Sequence, residues 1–353
     1  MPDPLLQDAQ RLCREGRIAE AARLYRNLLQ INPQSFEAHY GLGVLCLQGG
    51  QLDQAQQLLG EALRLKPLSL DCLCMRGLAL LHLQRHDEAL ACFDSVLSIT
   101  PDSVEALSNR AIVYLELQHY GEALAAFDAV FAIDPGHAIS WSNRGNVLVA
   151  TRRFEEAVAS YDRALSIRPD FPEARDNRKY ALGMSYFEKG QFDQAQYVLD
   201  EAVRLNPQLL DGLCIRGIAL LRLRRHDEAI ACFERALTAK PDFVEALSNR
   251  ATAYLELNRI DEALAGAALA LDAGHAVSWN NRGNALTALK RYEEAVESYD
   301  KALAIQPEFP EAKNNRVNAL FAMGRMSRCP PAYMRALFSA KLRSLRSVLC
   351  LSE

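Results

Sequence analysis

Asparagine recurs in one register of this chain, at Asn109, Asn143, Asn249, Asn281 and Asn315, with Asn177 joining them when counted from Pro169. Three residues beyond members of that row stand Asn146, Asn284 and Asn318. A primary amide carries a donor and an acceptor, so a row of amides can pair with the backbone of an extended polypeptide whatever its side chains. The plainer use is local, with the amides serving helix ends and solvent. Arginine makes a second row: Arg76, Arg110, Arg144, Arg216, Arg250 and Arg282. Such a stripe either binds anions or pairs with carboxylates in the two-pronged geometry a guanidinium favours. An acid stands eighteen residues after most of them, at Asp94, Asp128, Asp162, Glu234 and Asp300. Asp8 with Arg26 exchanges the signs, and Leu42 with Gly60 removes both charges. This covariation favours a structural clip between the two halves of one repeat, although Arg250 with Ala268 and Leu182 with Asp200 break the rule.

Other chemistry is poorly provided for. The chain has no Gly-rich phosphate loop, HExxH or nucleophile elbow. His82 and His86 straddle an expected turn and read as surface residues. Cys72-x-Cys74 is too tight for the usual zinc pair and has no second pair beside it. The nine cysteines, odd in number, read as reduced buried thiols rather than a disulfide framework. Trp141 and Trp279 read as packing residues. No enzyme activity, cofactor or metal is expected.

The elements that must position these residues follow a strict period. Pro33, Pro67, Pro101, Pro135 and Pro169 are 34 residues apart, and residues 140–169 return at 278–307 with 20 of 30 identical. With the Pro as position 32, position 8 is Gly or Ala, from Ala9 and Gly43 to Gly283. Position 20 is always Ala, and position 24 is mostly large, as in Tyr25, Leu59, Phe93, Phe127, Tyr161, Leu199, Phe233 and Tyr299. Apolar residues in each half recur at helical spacing, so each repeat reads as two antiparallel helices. Small residues bring the backbones close and the bulky one fills the adjoining gap. The second helix opens on acids such as Asp87-Glu88 and Glu293-Glu294, favourable at its positive end, and stops at a Pro that cannot continue it.

This pattern resembles the tetratricopeptide repeat (TPR) over residues 2–324. The resemblance implies an all-α TPR solenoid, a right-handed superhelix of antiparallel helix pairs with about nine repeats and a partial tenth. It also implies that the first helix of each pair lines a concave groove, so Asn109, Asn143, Asn146, Asn177, Asn249, Asn281, Asn284, Asn315 and Asn318 would face a bound polypeptide there. Ser108-Asn109-Arg110 resembles part of the clamp that binds chaperone C-terminal carboxylates. That clamp is absent, because its other positions are Cys74, Leu78, Ile139 and Asn143, or in the second copy Cys214, Ile218, Val277 and Asn281. The asparagine rows and the block NRGN…EEAVxSYDxAL resemble the TPR arrays of bacterial O-linked N-acetylglucosamine transferase-like proteins. The alternative this implies is the substrate-recognition region of such a glycosyltransferase without its catalytic domain.

Two irregularities interrupt the beat. Four residues, Pro172 to Arg175, are inserted between Pro169 and the next repeat, and one extra helical turn is the simplest accommodation. The eighth repeat has lost two residues, with Ala267 at the bulky position and Ala273 at the Pro, which predicts a weak spot. Tyr40–Lys179 is echoed by Tyr180–Val317, as from an internal duplication. The expected divisions are 1–171, 172–324 and a basic tail, 325–353, that forms a capping helix or an atypical end. The tail carries a net charge of +5, leaving −9 on the remainder of a chain whose total is −4. That balance argues against nucleic acid. No apolar run is long enough to span a membrane and no secretory signal opens the chain, so a cytoplasmic location is expected. The expected partners are proteins or peptides, with self-association through the ends of the stack a further possibility.

Overall fold

The computed structural model describes residues 4–269 and 275–324. The predicted basic capping helix and Ala273 lie outside the described residues. Among the described residues, nineteen helices alternate as the first (A) and second (B) members of pairs. The A helices are α1 (Pro4–Arg14), α3 (Phe36–Gln48), α5 (Leu70–His82), α7 (Val104–Glu116), α9 (Ala138–Ala150), α11 (Pro172–Glu188), α13 (Leu210–Arg222), α15 (Val244–Glu256), α17 (Ala276–Ala288) and α19 (Pro310–Ala322). The B helices are α2 (Ile18–Ile31), α4 (Leu52–Leu65), α6 (His86–Ile99), α8 (Tyr120–Ile133), α10 (Phe154–Ile167), α12 (Phe192–Leu205), α14 (His226–Ala239), α16 (Ile260–Leu269) and α18 (Tyr292–Ile305). No strand occurs among the described residues. The architecture is the expected all-α TPR solenoid of about nine repeats. Its contacts divide into two units, Met1–Ala181 and Leu182–Glu353, the boundary falling inside α11.

The small-and-bulky beat does what its spacing implies. Every position-20 alanine, from Ala21 to Ala295, is fully buried. A Cβ built on Gly145 would lie 2.5 Å from the Tyr161 ring, and on Gly77 or Gly43 within 2.7 or 2.8 Å of Phe93 or Leu59. Glycine is required there by the close approach of the neighbouring side chain. In the eighth repeat, where Ala267 is fully buried, Gly266 comes up against Ala251, its added Cβ falling 3.7 Å from the alanine's.

The inserted four residues lengthen one helix. Most A helices have 13 residues, whereas α11 has 17 and starts at Pro172, one turn more at 3.6 residues per turn. Pro172 at the helix start lacks only an N–H that would have no partner there.

The turn after each A helix places one residue in the left-handed region. It is Gly16, Gly50, Gly190 or Gly324 in four repeats and Gln84, Gln118, Arg152, Arg224, Asn258 or Lys290 in the others, with φ between 57° and 75°. The B helices begin without a side-chain cap. In α6, α10, α14 and α18 the arginine before the helix instead reaches the glutamate of its first turn, with Arg153 Nη2 2.7 Å from Glu156 Oε2 and Arg225 Nε 2.6 Å from Glu228 Oε1. That bond holds the Glu156 and Glu228 carboxyls below the usual range.

Candidate functional site

The A helices carry the asparagines three residues apart, so the two rows share one helix face. In unit 1, Asn146 Oδ1 accepts from Tyr161 Oη at 2.7 Å and from Asn177 Nδ2 at 3.0 Å. Asn146 Nδ2 also donates to Asn143 Oδ1 at 3.5 Å. Unit 2 repeats the arrangement, with Asn284 Oδ1 accepting from Tyr299 Oη and Asn315 Nδ2, both at 2.9 Å. Asn315 Nδ2 further meets Asn280 Oδ1 at 3.1 Å. These amides tie one A helix to the next and to the B-helix tyrosine between them. Burial pushes both phenols above their ordinary pKa, so each hydroxyl stays a donor at neutral pH.

The remaining amides are used differently. Asn281 is buried and donates to the Ser248 carbonyl at 3.1 Å and to Thr252 Oγ1 at 3.0 Å. Asn249 Nδ2 donates to the Glu245 carbonyl of its own helix at 2.7 Å, leaving its oxygen without a donor among the described residues. Asn109 is half-buried and Asn318 exposed, and neither amide has a hydrogen-bond partner among the described residues. Asn177 and Asn315 keep their Oδ1 atoms unengaged in the same sense. The rows therefore combine amides that join repeats with amides whose capacity is unspent. Sequence reasoning did not separate the two uses.

The arginine row requires a correction. Where an arginine of the row has a carboxylate partner, it is not in the same repeat, eighteen residues on, but in the preceding B helix, sixteen residues back. Arg110 Nη1 lies 2.9 Å from Asp94 Oδ1, Arg144 Nε 3.6 Å from Asp128 Oδ1, and Arg216 Nη2 3.0 Å from Asp200 Oδ1. Arg178 pairs with Asp162 at 2.5 Å, and Arg316 pairs with Asp300. Some guanidiniums of the row also reach forward to their own B helix, where Arg144 Nη1 donates to Ser160 Oγ at 2.9 Å and Arg282 Nη1, which has no carboxylate behind it, to Ser298 Oγ at 2.6 Å. Arg216 Nη1 likewise reaches Cys232 Sγ at 3.3 Å. Each fully engaged arginine staples three consecutive helices. One of the pairs that broke the same-repeat rule is accounted for, since Asp200 belongs to Arg216.

His86 is more than a surface residue, since its Nε2 lies 2.8 Å from Glu116 Oε2 of the next repeat, as His226 does from Glu256. The seven described cysteines are all free. Burial pushes the Cys72, Cys74 and Cys214 thiols up to about 12, so they are protonated and unreactive at neutral pH. Trp141 stacks on Phe131 with ring centroids 3.8 Å apart and donates to the Pro135 carbonyl at 3.0 Å, as a packing residue would. Among the described residues no cluster of His, Cys, Asp and Glu is arranged to hold a metal. No described helix is long and apolar enough to cross a membrane.

A stack of helix hairpins joined by repeated polar staples defines a helical-repeat solenoid. The tetratricopeptide repeat is matched over residues 12–69, over 47–104, 108–172, 180–242 and 214–276, and over 276–309. With more than half of its length matched, the chain belongs to the tetratricopeptide repeat family. Comparison with curated proteins gives no significant match. Among solved structures, the Cut9–Hcn1 hetero-tetramer of the APC/C is similar with a TM-score of 0.56 at 18% identity, covering 84% of this chain and 58% of that one. A TPR protein from Parabacteroides merdae ATCC 43184 aligns with a TM-score of 0.49 at 18% identity, covering 81% and 99%. YrrB, described as a TPR protein with an unusual peptide-binding site, aligns with a TM-score of 0.43 at 27% identity, covering 54% and 96%.

Proposed function

We propose that this chain is a non-enzymatic protein-interaction scaffold that holds an extended polypeptide segment along the A-helix asparagines. The observation that carries the reading is the unspent amide capacity on the A helices of each unit: Asn109 whole and the Asn177 oxygen in unit 1, and Asn318 whole and the oxygens of Asn249 and Asn315 in unit 2. A row of amides with free donors and acceptors matches a peptide backbone, which presents both at every residue. Affinity then comes from many weak main-chain contacts, and specificity from less regular A-helix positions such as Tyr40, Met75 and Ile215. Staples between repeats hold the amides at fixed spacing, so little order has to be imposed when the ligand arrives.

The test is selection of peptides of about a dozen residues from a random library on the immobilised protein, followed by calorimetry with a backbone N-methylated copy of the best binder. N-methylation removes donors and leaves side chains in place, so at least a tenfold loss of affinity is expected. Equal affinity of the methylated peptide would show that side chains alone are read. The alternative, a recognition region related to an O-linked N-acetylglucosamine transferase, has no separate support in the geometry. Turnover of a nucleotide sugar by this chain alone would overturn the non-enzymatic reading.

A further inference from the structure

The inter-repeat pairing fails at one place in unit 1. Sixteen residues before Arg76, where Arg110, Arg144, Arg178 and Arg216 have an aspartate, the chain has Gly60, and the glycine that stands likewise before Arg282 leaves that arginine bonded to Ser298. Arg76 has no hydrogen-bond or ion-pair partner among the described residues, and its Nε is closed off from solvent without one. An orphaned Nε is common to this row; Arg110, Arg144 and Arg216 still engage a carboxylate, whereas Arg76 and Arg250 do not, and of these two only Arg76 lacks an acid sixteen residues before it. Beside it lies a shallow, open hollow of about 450 Å³ whose lining includes Gly60, Gln56, Gln57, Glu61, Leu63 and Arg64. Glu61 does not neutralise Arg76, because both its oxygens accept from Arg64 Nη1, at 3.1 and 2.8 Å.

Packing does not require the glycine. A Cβ on Gly60 would meet only Arg76 Nε, at 3.8 Å, an ordinary contact, whereas one on Gly43 would collide with Leu59. Gly60 is also inside α4, where glycine is an unfavourable helix residue. Across α4 a second cavity of about 460 Å³ is lined by Arg26, Leu42 and the shared Gln57 and Glu61. There Arg26 faces Leu42 and likewise has no ion-pair partner among the described residues. Two uncompensated guanidiniums thus flank one helix.

We propose that Arg76 and the hollow at Gly60 form a docking site for an acidic side chain of a partner polypeptide. The incoming carboxylate takes the position that aspartate occupies against the equivalent arginines, in the bidentate geometry that guanidinium favours. Gln56 and Gln57 offer amides to the main chain on either side, which suits a peptide better than a free anion. Arg26 draws the same acidic segment towards α4. This site is on the contact of α4 with α5 and does not depend on the asparagine rows.

The probe is an acetylated, amidated pentapeptide, Gly-Glu-Asp-Glu-Gly, titrated against the full chain while the Arg76 Nε–Hε resonance is followed. The control is Gly-Gln-Asn-Gln-Gly. A saturable shift with the acidic peptide and none with the control is expected. Gly60→Asp, which installs the internal carboxylate, and Arg76→Gln should each weaken binding at least tenfold. Gly60→Asp should melt no lower than the parent, which excludes unfolding as the cause, and Asn109→Ala should bind the probe normally. The proposal is overturned by an unsaturable shift, by undiminished binding to both variants, or by inorganic phosphate saturating Arg76 at lower concentration than the peptide.

Discussion

Replacing Tyr161 with alanine is expected to lower stability by about 3–5 kcal/mol, the range for emptying a buried aromatic site. Tyr161 is 1% exposed. Its ring fills the space left by Gly145, and its hydroxyl, 2.7 Å from Asn146 Oδ1, holds the junction on which Asn177 also converges. Tyr161→Phe keeps the ring and removes one hydrogen bond, so a loss of only about 0.5–1.5 kcal/mol is expected. Asn146 Oδ1 then still has the Asn177 donor. Because solenoid stability is close to a sum of repeat and nearest-neighbour terms, the damage should concentrate in α9 and α10. Urea unfolding with hydrogen exchange resolved by helix measures both size and place. A loss below 1 kcal/mol for the alanine variant, or one spread evenly along unit 1, would contradict the packing account.

The second large effect belongs to Asp200. Removing its carboxylate by Asp200→Ala is expected to destabilise by about 1.5–3 kcal/mol, as for a hydrogen bond to a charged group. The Arg216 and Asp200 side chains are only 15% and 19% exposed, and Arg204 binds the other oxygen at 2.6 Å. Asp94→Ala removes the equivalent acid from Arg110, but Asp94 is 55% exposed. At most about 1 kcal/mol is expected there, the worth of a pair open to solvent. A double-mutant cycle should find coupling between Arg216 and Asp200 and almost none between Arg216 and Glu234. The reverse result would restore the pairing within one repeat.

That last comparison marks where sequence reasoning stopped. The period, the helix pairs and the extra turn at Pro172 were legible because each rests on local spacing: Gly at position 8, Ala at position 20, a bulky residue at position 24, and four inserted residues making one turn. The partner of each arginine was not legible in the same way. Eighteen residues forward and sixteen back differ by one repeat, and in a nearly uniform array both directions meet an acid. The exceptions point both ways: Arg76 and Arg282 have a glycine sixteen residues back and an acid eighteen on, whereas two others lean the opposite way. Asp200 has Leu182 in its own repeat, and Arg250 has Ala268, although Glu234 precedes it by sixteen residues.

A clearer signal lay unread in the asparagines. Tyr161 accompanies Asn146 and Tyr299 accompanies Asn284, whereas Phe93, Phe127 and Phe233 accompany Leu78, Ile112 and Ile218. A hydroxyl is present where an amide can receive it, which separates the amides that lock repeats together from those left free. The left-handed turn residues were also missed, because six of the ten are not glycine. The neighbouring helices fix that conformation against the residue's own preference.

The most direct measurement on the interaction reading is the affinity of the library-selected peptide for the doubly substituted chain Asn109→Ala/Asn249→Ala. These two residues occupy the same place in the near-identical segments VEALSNRA, and neither amide bonds to another repeat. The thermal melt should therefore stay within a degree or two of the parent, on the order expected for surface changes away from structural contacts. A fall in affinity of tenfold or more, with that melt unchanged, is the predicted result. Undiminished affinity would mean that the peptide is held elsewhere.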